Sequence, residues 1–403
     1  MVRTLACHAR GRGFESHLSR IMKKITVVGG GNAGCFTALY CGFYGRKNED
    51  IEVELIYNPD IPPERVGQAT TLDPPKFLWA ATGFNWYENK IHATFKSGIS
   101  YEGWGQKNDK FFHPFPGDHM AMHYCPWEMQ ESILNCGHFK VTESNVLDVD
   151  KVDGDYVFDC QGKPRDYSEY DELINPTNAC ILGKPNWDLS DQHWSRAITT
   201  PDGWTFVIPT DKSSPSNDYC VGYCYNSDIT TKEEASKNFL DMFDVEIQKN
   251  LNYRNYVAKD PVIDDRIFLN GNRLFFLEPL ESSSTQTYIE IARAFFDYYV
   301  PGKVDLNQIR KNTREYMIEC QNFLLWHYQA GSKYDTPFWK YAKSLTFDYD
   351  EKFKKYYEWT SKNNIYDTLP SDYGGIGGNK LYGQWPAYSF RNWYEGINTN
   401  LNI

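Results

Sequence analysis

The chain has 403 residues, with 42 Lys or Arg against 53 Asp or Glu and a formal net charge of −11. That length allows two or three domains, or one large α/β body with additions. The acidic balance excludes broad nucleic-acid binding, which needs a basic footprint, and with no unbroken run of about 18 apolar residues no membrane span is expected.

The leader, residues 1–21, carries Arg3, Arg10, Arg12 and Arg20 without a long apolar centre, so it does not read as a secretory signal. Met22-Lys23-Lys24 then runs straight into Ile25-Thr26-Val27-Val28, and translation is expected to begin at Met22, with the leader outside the fold; a targeting peptide is the alternative. Ile25 to Val28 reads as a buried parallel strand. Ala33, Phe36, Leu39, Tyr40 and Phe43 then recur at helical spacing, and Ile51 to Tyr57 reads as a second strand. Between strand and helix lies Gly29-Gly30-Gly31-Asn32-Ala33-Gly34. Glycines at 29, 31 and 34 permit a tight turn, the close approach of a pyrophosphate and close helix–strand packing, which in this βαβ context points to a dinucleotide site.

The next segment is Val66-Gly67-Gln68-Ala69-Thr70-Thr71-Leu72-Asp73-Pro74-Pro75-Lys76. Asp73 reads as an N-cap, Pro74 as the first helical residue and Gly83 as the stop, with Phe77, Leu78 and Ala81 at core spacing. Lys76 therefore falls in a first helical turn, where the helix dipole disfavours a cation by a few tenths to about 1 kcal/mol. A solvated surface lysine is the plainer reading; a reactive amine is the sharper one.

Residues 95–125 are dense in rings (Phe95, Tyr101, Trp104, Phe111, Phe112, Phe115), and His113 lies among them. Residues 155–225 alternate short β-like runs with turns, as in an antiparallel sheet. A strand over Leu274–Leu277 leads into Glu278-Pro279-Leu280-Glu281-Ser282-Ser283-Ser284-Thr285 and then a helical run with Ile289, Ala292, Phe295, Phe296 and Tyr299 on its apolar face. Beyond about residue 305 the pattern is mostly helical, with a glycine-rich loop at 374–378 and an aromatic tail; there is no internal repeat. Ten cysteines lacking CxxC or zinc-like spacing suit a reducing, cytoplasmic setting and give no metal site. Cys220 and Cys224, in an apolar run, read as core.

Taken together, four segments resemble the flavin-dependent halogenases, above all the tryptophan-halogenase branch. They are the turn Gly29 to Gly34; Val66-Gly67-Gln68-Ala69-Thr70, similar to that family's GEAT loop, with Lys76 at the spacing of its essential lysine; Gly203-Trp204-Thr205-Phe206-Val207-Ile208-Pro209, similar to W-x-W-x-I-P; and Pro279-Leu280-Glu281-Ser282-Ser283, similar to PLEST. Phe95-Lys96-Ser97-Gly98-Ile99 through His113-Pro114-Phe115 also resembles the stretch that lines the family's substrate chamber. The match is colinear over roughly residues 23–300 and fits a bacterium- or phage-encoded member. Departures are Phe206 for the second tryptophan, Gln68 for the glutamate of GEAT, Tyr57 or Asn58 where flavoproteins keep an acid for the adenine ribose, and a chain shorter than typical members, which puts the lid over free tryptophan in doubt.

The resemblance implies an α/β fold: an FAD-binding, doubly wound, flavoprotein-monooxygenase-like domain interwoven with an antiparallel substrate sheet, over residues 22–300, and a helical part over 301–403. It implies that reduced FAD and oxygen convert halide to hypohalous acid, which halogenates an electron-rich indole or phenol. FAD would be held by Gly29, Gly31, Asn32, Ala33, Gly34, Ala69, Thr70 and Pro279, and halide by Ser283 and Ser284, where a helix N-terminus offers backbone N–H groups. Lys76 would deliver the oxidant and Glu281 orient it and accept the ring proton; capping of the following helix is the plainer reading of Glu281. Trp204 and Phe206 would wall off the flavin, and His113 and Phe115 line the aromatic pocket. A separate flavin reductase is the implied partner, since there is no second dinucleotide motif, and a homo-oligomer is compatible with the sequence. A flavin-dependent aromatic hydroxylase and a non-catalytic flavin-binding protein are the rival readings. Nothing ranks the halides.

Overall fold

The computed structural model describes residues 23–48, 50–105, 109–115, 120–346, 350–362 and 382–397. The leader and the glycine-rich loop at 374–378 lie outside them. The first sheet has six strands in the order Val262–Ile263, Ile267–Leu269, Tyr156–Asp159, Lys23–Val28, Ile51–Tyr57 and Lys140–Glu143, all parallel but for the first pair. Tyr156–Asp159, read from sequence as part of an antiparallel sheet, belongs here: Val157 and Phe158 are both fully buried, and apolar side chains on both faces suit a central parallel strand. Helix α1 (Asn32–Gly45) is buried almost all round and packs against later helices, as expected for a helix that is apolar on every side.

The turn into α1 depends on glycine. Gly29 has φ +119°, and a Cβ there would lie 2.4 Å from the Cys160 carbonyl oxygen; a Cβ on Gly34 would lie 1.8 Å from that of Gly29.

The second sheet has seven strands in the order Val245–Asn252, Ala179–Pro185, Val221–Tyr225, Gly203–Val207, Ser195–Thr200, Gly98–Glu102 and Lys110–Pro114. It is antiparallel except where Ser195–Thr200 meets Gly98–Glu102. The ring-rich segment thus supplies its last two strands, which hold Tyr101 and His113. A small three-stranded sheet, Gln68–Ala69, Ala121–Tyr124 and Thr94–Lys96, ties the loop after the second parallel strand to this body.

Helix α2 (Asp73–Thr82) follows that loop. Asp73 is its first residue; the cap position is Leu72, without a side-chain cap bond, and Gly83 closes the helix in the left-handed conformation at φ 72°. The remaining helices among the described residues are α3 (Pro126–Leu134), α4 (Lys232–Met242), α5 (Ser284–Arg293), α6 (Leu306–Ala330), α7 (Pro337–Ser344), α8 (Glu351–Lys362) and α9 (Ala387–Ile397). A π-helical turn, Ala294–Tyr299, continues α5. Helix α6 starts at Asp305, whose Oδ1 accepts from the Gln308 N–H at 2.8 Å, and its second half is buried.

Candidate active site

The site forms where α5 begins. Ser282 has φ +55°, a left-handed conformation that costs a non-glycine residue of order 1 kcal/mol. The reversal there lets Glu281 turn inward while the chain enters α5 through Ser283, which makes no side-chain cap bond. The first-turn N–H groups of α5, those of Ser284 included, have no carbonyl within the helix to bond, and the helix dipole favours an anion beside them.

Glu281 is 5% exposed and ringed by donors. Tyr101 OH donates to Oε1, His327 Nε2 lies 2.6 Å from the same oxygen, and Trp385 Nε1 donates to Oε2 at 3.1 Å. This excludes helix capping as the task of its carboxylate. The His327 Nδ1 faces the Phe323 carbonyl at 2.8 Å, which only accepts, so Nδ1 carries a hydrogen and one further proton joins Nε2 to Oε1. Burial alone would raise the Glu281 carboxyl; the His327 hydrogen bond, the charges of His327 and His113, and the Tyr101 hydroxyl outweigh it and hold it at about 2.

The buried amine is Lys96, not Lys76. Lys76 lies exposed on α2, because the face carrying Phe77, Leu78 and Ala81 turns inward and Lys76 falls outside it. Lys96 is fully buried; its Nζ donates to the Thr70 carbonyl at 3.0 Å and stands 5.4 Å from the centroid of Phe115. Burial lowers its pKa to about 7, with the charge of Glu281 pulling the other way. The sequence signal for Lys96 was a charged residue inside the ring-rich, β-like run Phe95-Lys96-Ser97-Gly98-Ile99.

His113 is buried beside this group, and burial lowers its pKa to about 4. Its ring lies 6.0 Å from that of half-buried Phe115. Trp204 and Phe206 are buried on neighbouring positions of one sheet face, centroids 6.1 Å apart. Phe206 sits over Gly222 on the adjacent strand, where an added Cβ would meet the ring at 2.1 Å.

At the dinucleotide turn, a Cβ on Gly31 would meet nothing within 4 Å, so the backbone faces open space at the start of α1. The buried Asn32 Oδ1 has no hydrogen-bond partner, while its Nδ2 donates to Gln68 Oε1 and Tyr124 OH, both at 2.9 Å. Tyr124 OH also lies 2.8 Å from Thr285 Oγ1 on α5. Gln68, with Tyr124, thus joins the turn to the start of α5. The open glycine backbone at the start of α1 fits a dinucleotide phosphate, whereas the Asn32 Oδ1, an acceptor, calls for a donor. Ala69 and Thr70 are buried nearby in the small sheet and its exit, whereas Pro279 is exposed. Tyr57, at the tip of the second strand, bonds Glu143 Oε1 at 3.1 Å. Residues that the sequence did not single out for the site are Lys96 as its amine, Tyr101, Tyr124, His327 and Trp385.

The sequence model of the family described as tryptophan halogenase matches residues 24–135 and 137–394. Tryptophan 7-halogenase RebH of Lentzea aerocolonigenes is 26% identical over 186 residues, 43% of this chain and 33% of that enzyme, so this match spans a third of its length. Tryptophan 6-halogenase ThaL of Streptomyces albogriseolus is 20% identical over 80% of this chain and 79% of its own. Among solved structures, the tryptophan 6-halogenase SttH from Streptomyces toxytricini superposes with a TM-score of 0.72 at 20% identity, over 93% of this chain and 90% of that one.

Proposed function

The chain belongs to the tryptophan halogenase family, and from that premise we propose that it is an FAD-dependent halogenase acting on an electron-rich aromatic, with Lys96 rather than Lys76 as its working amine. Reduced FAD, when bound, supplies with oxygen the power to oxidise halide to hypohalous acid. Gly29 and Gly34 shape the turn that would hold it, Gly31, Asn32 and Ala33 offer backbone N–H groups to its phosphates, and Ala69, Thr70 and Pro279 flank it. A separate reductase provides the reduced flavin. Ser283 and Ser284 supply the halide cradle at the start of α5.

The observation that carries the reading is a buried amine whose pKa burial lowers to about 7, within reach of the charge of a buried carboxylate that stands beside an anion-favouring helix terminus. Lys96 holds the oxidant by hydrogen bond, for which its ammonium form serves, or as a haloamine, which needs an amine that sheds its proton near neutrality. Glu281 stays ionised, orients the amine and takes the proton from the halogenated ring; a ring cation is so strong an acid that even a carboxylate held this low accepts it. His113 and Phe115 line the ring pocket, and Trp204 with Phe206 keeps substrate from the flavin.

The test is mass spectrometry of an indole and phenol panel supplied with FAD, a flavin reductase and each halide in turn. Halide-specific mass gains support the proposal. Oxygen insertion without halogen would make the protein a hydroxylase, and no product at all would leave a flavin-binding fold.

A further inference from the structure

Three strands of the second sheet carry one row of side chains on a single face. Trp204 stands opposite Cys224 on the neighbouring strand, and Cys224 stands opposite Cys180 on the next. Both cysteines are free thiols, Cys224 fully buried and Cys180 4% exposed, in the same core cluster as Trp204. The ladder fixes their spacing. The Ile208 N–H donates to the Cys220 carbonyl at 2.8 Å, so 220, 222 and 224 turn their backbone groups toward the strand of Trp204. The Tyr253 N–H donates to the Asn178 carbonyl at 2.8 Å, so 178 and 180 turn theirs the other way, toward Val245–Asn252. Cys180 and Cys224 are therefore a non-hydrogen-bonded pair, whose Cα atoms approach to about 4.5 Å. That lies within the roughly 4.4–6.8 Å that a disulfide spans. The two thiols are already joined by a hydrogen bond.

Thiol sulfur is softer and more nucleophilic than a ring carbon, so it captures electrophilic halogen first. We infer that Cys180 and Cys224 form an oxidant trap: hypohalous acid that escapes past Trp204 is reduced to halide by the pair, which closes to a cross-strand disulfide. This goes beyond the halogenase reading and rests on it for the source of the acid. In the first step the Cys224 sulfur takes the halogen, and its thiol proton leaves with the hydroxide of the acid as water. In the second the Cys180 sulfur attacks the Cys224 sulfur, and halide departs with the electron pair of the sulfur–halogen bond. The Cys180 proton passes to Glu278, a buried carboxylate whose charge acts on Cys224 and whose pKa burial raises to about 7. Two thiols and one hypohalous acid thus become a disulfide, water, a proton and halide. Opposed Cβ atoms on such strands stand about 4.5–5.5 Å apart, against about 3.8 Å in a disulfide. Closure therefore draws the strands together and leaves a strained bond, the kind that reductants reopen.

The experiment adds equimolar hypobromous acid to the unaltered protein, without flavin, and maps the cysteines by mass spectrometry after alkylation. The peptides of Cys180 and Cys224 should appear joined and lighter by two hydrogens, and dithiothreitol should restore both thiols. Cys320, buried on α6 beside Glu319 and Lys352, is the internal control and should be oxidised about tenfold less, having no opposed thiol to close on. Hydrogen peroxide in the same amount should leave the pair reduced, because peroxide needs a thiolate and burial pushes the Cys224 thiol well above its usual value. In Cys180→Ala the halogenated Cys224 cannot close; its sulfur–bromine bond hydrolyses to a sulfenic acid, which dimedone captures. In turnover with FAD, a reductase and bromide but no aromatic substrate, the unaltered protein should accumulate the disulfide, and omitting bromide should abolish it. With indole present, Cys180→Ala should start at the unaltered rate and lose activity about tenfold sooner.

The added-acid measurement needs neither flavin nor a variant, so it is independent of the halogenase reading and of whether Cys180→Ala folds. Joined peptides from added acid, with bromide-dependent closure in turnover, support the proposal. It is overturned if added acid leaves Cys180 and Cys224 as thiols while Cys320 is oxidised, or if peroxide closes the pair as readily as hypobromous acid. It is overturned equally if a chain that brominates indole never closes the pair when indole is withheld. Closure by added acid in a chain that halogenates no ring would uphold the chemistry of the dithiol and overturn only the halogenase reading.

Discussion

Two lysines lie on either side of a helix and a loop, and their surroundings could hardly differ more. Lys76 lies in the first turn of α2, exposed on the polar side of an amphipathic helix. Lys96 ends a three-residue strand and is shut from solvent, its amino group meeting the Thr70 carbonyl and the face of Phe115. Placement along the sequence and a helix dipole made Lys76 the natural candidate for a reactive amine. On the proposed reading desolvation outweighs that placement, because the dipole acts with a few tenths to about 1 kcal/mol, whereas full burial moves a lysine by several pKa units. An amine becomes reactive through what surrounds it.

The sharpest way to break this comparison is to delete each amine in turn. Lys96→Ala should cut halogenation by roughly 10²–10⁴-fold, and Lys76→Ala should leave it within about twofold, by product mass spectrometry against a common substrate; the opposite ranking would restore Lys76. The pH dependence sharpens it further. Activity should climb as pH rises through about 7, where Lys96 sheds its proton. The folded chain releases that proton below the unfolded lysine value of about 10.4, so this group also makes stability rise with pH between those limits. Lys96→Met should flatten the rise in urea-unfolding free energy, and Lys76→Met should leave it intact.

Glu281→Gln removes the charge facing Lys96 and the acceptor of the ring proton, and should lower kcat about a hundredfold. Because the Glu281 pKa is depressed, its stabilisation is present above about 4.3 and fades as pH falls toward about 2; the glutamine variant should lose that acid-sensitive part. At the dinucleotide turn, Gly31→Val should leave Tm unchanged while weakening FAD binding about tenfold by flavin fluorescence, since its side chain enters open space that the phosphates need. An unweakened Kd would move the cofactor elsewhere. The smallest effect belongs to Ser282→Gly, which relieves the left-handed φ and should stabilise the chain by about 0.5–1 kcal/mol in urea.

The parallel sheet and its glycine turn were legible because their signals are local: a continuous apolar strand, glycines where the backbone must pass close, and helical spacing after them. The PLES segment was legible as the entry to a helix, because Glu281 and the following serines lie within a few residues of one another. Lys96 stood in a segment already read as chamber lining, but its burial depends on the small sheet formed with residues 68–69 and 121–124, a non-local pairing that no window of sequence displays. His327 and Trp385 were hidden for the same reason. Each joins Glu281 from far along the chain, and within its own helix or turn each reads as an ordinary core residue.

The contact between Phe206 and Gly222 binds two positions on neighbouring strands into one unit of inheritance. With the ring lying where a Cβ on the partner strand would be, a methyl group at 222 evicts the aromatic, and a wider ring at 206 meets the strand itself. Neither site is free to drift alone, so substitutions here should co-vary and their energies should not add. A chain with phenylalanine at 206 thereby carries a constraint on residue 222 as well.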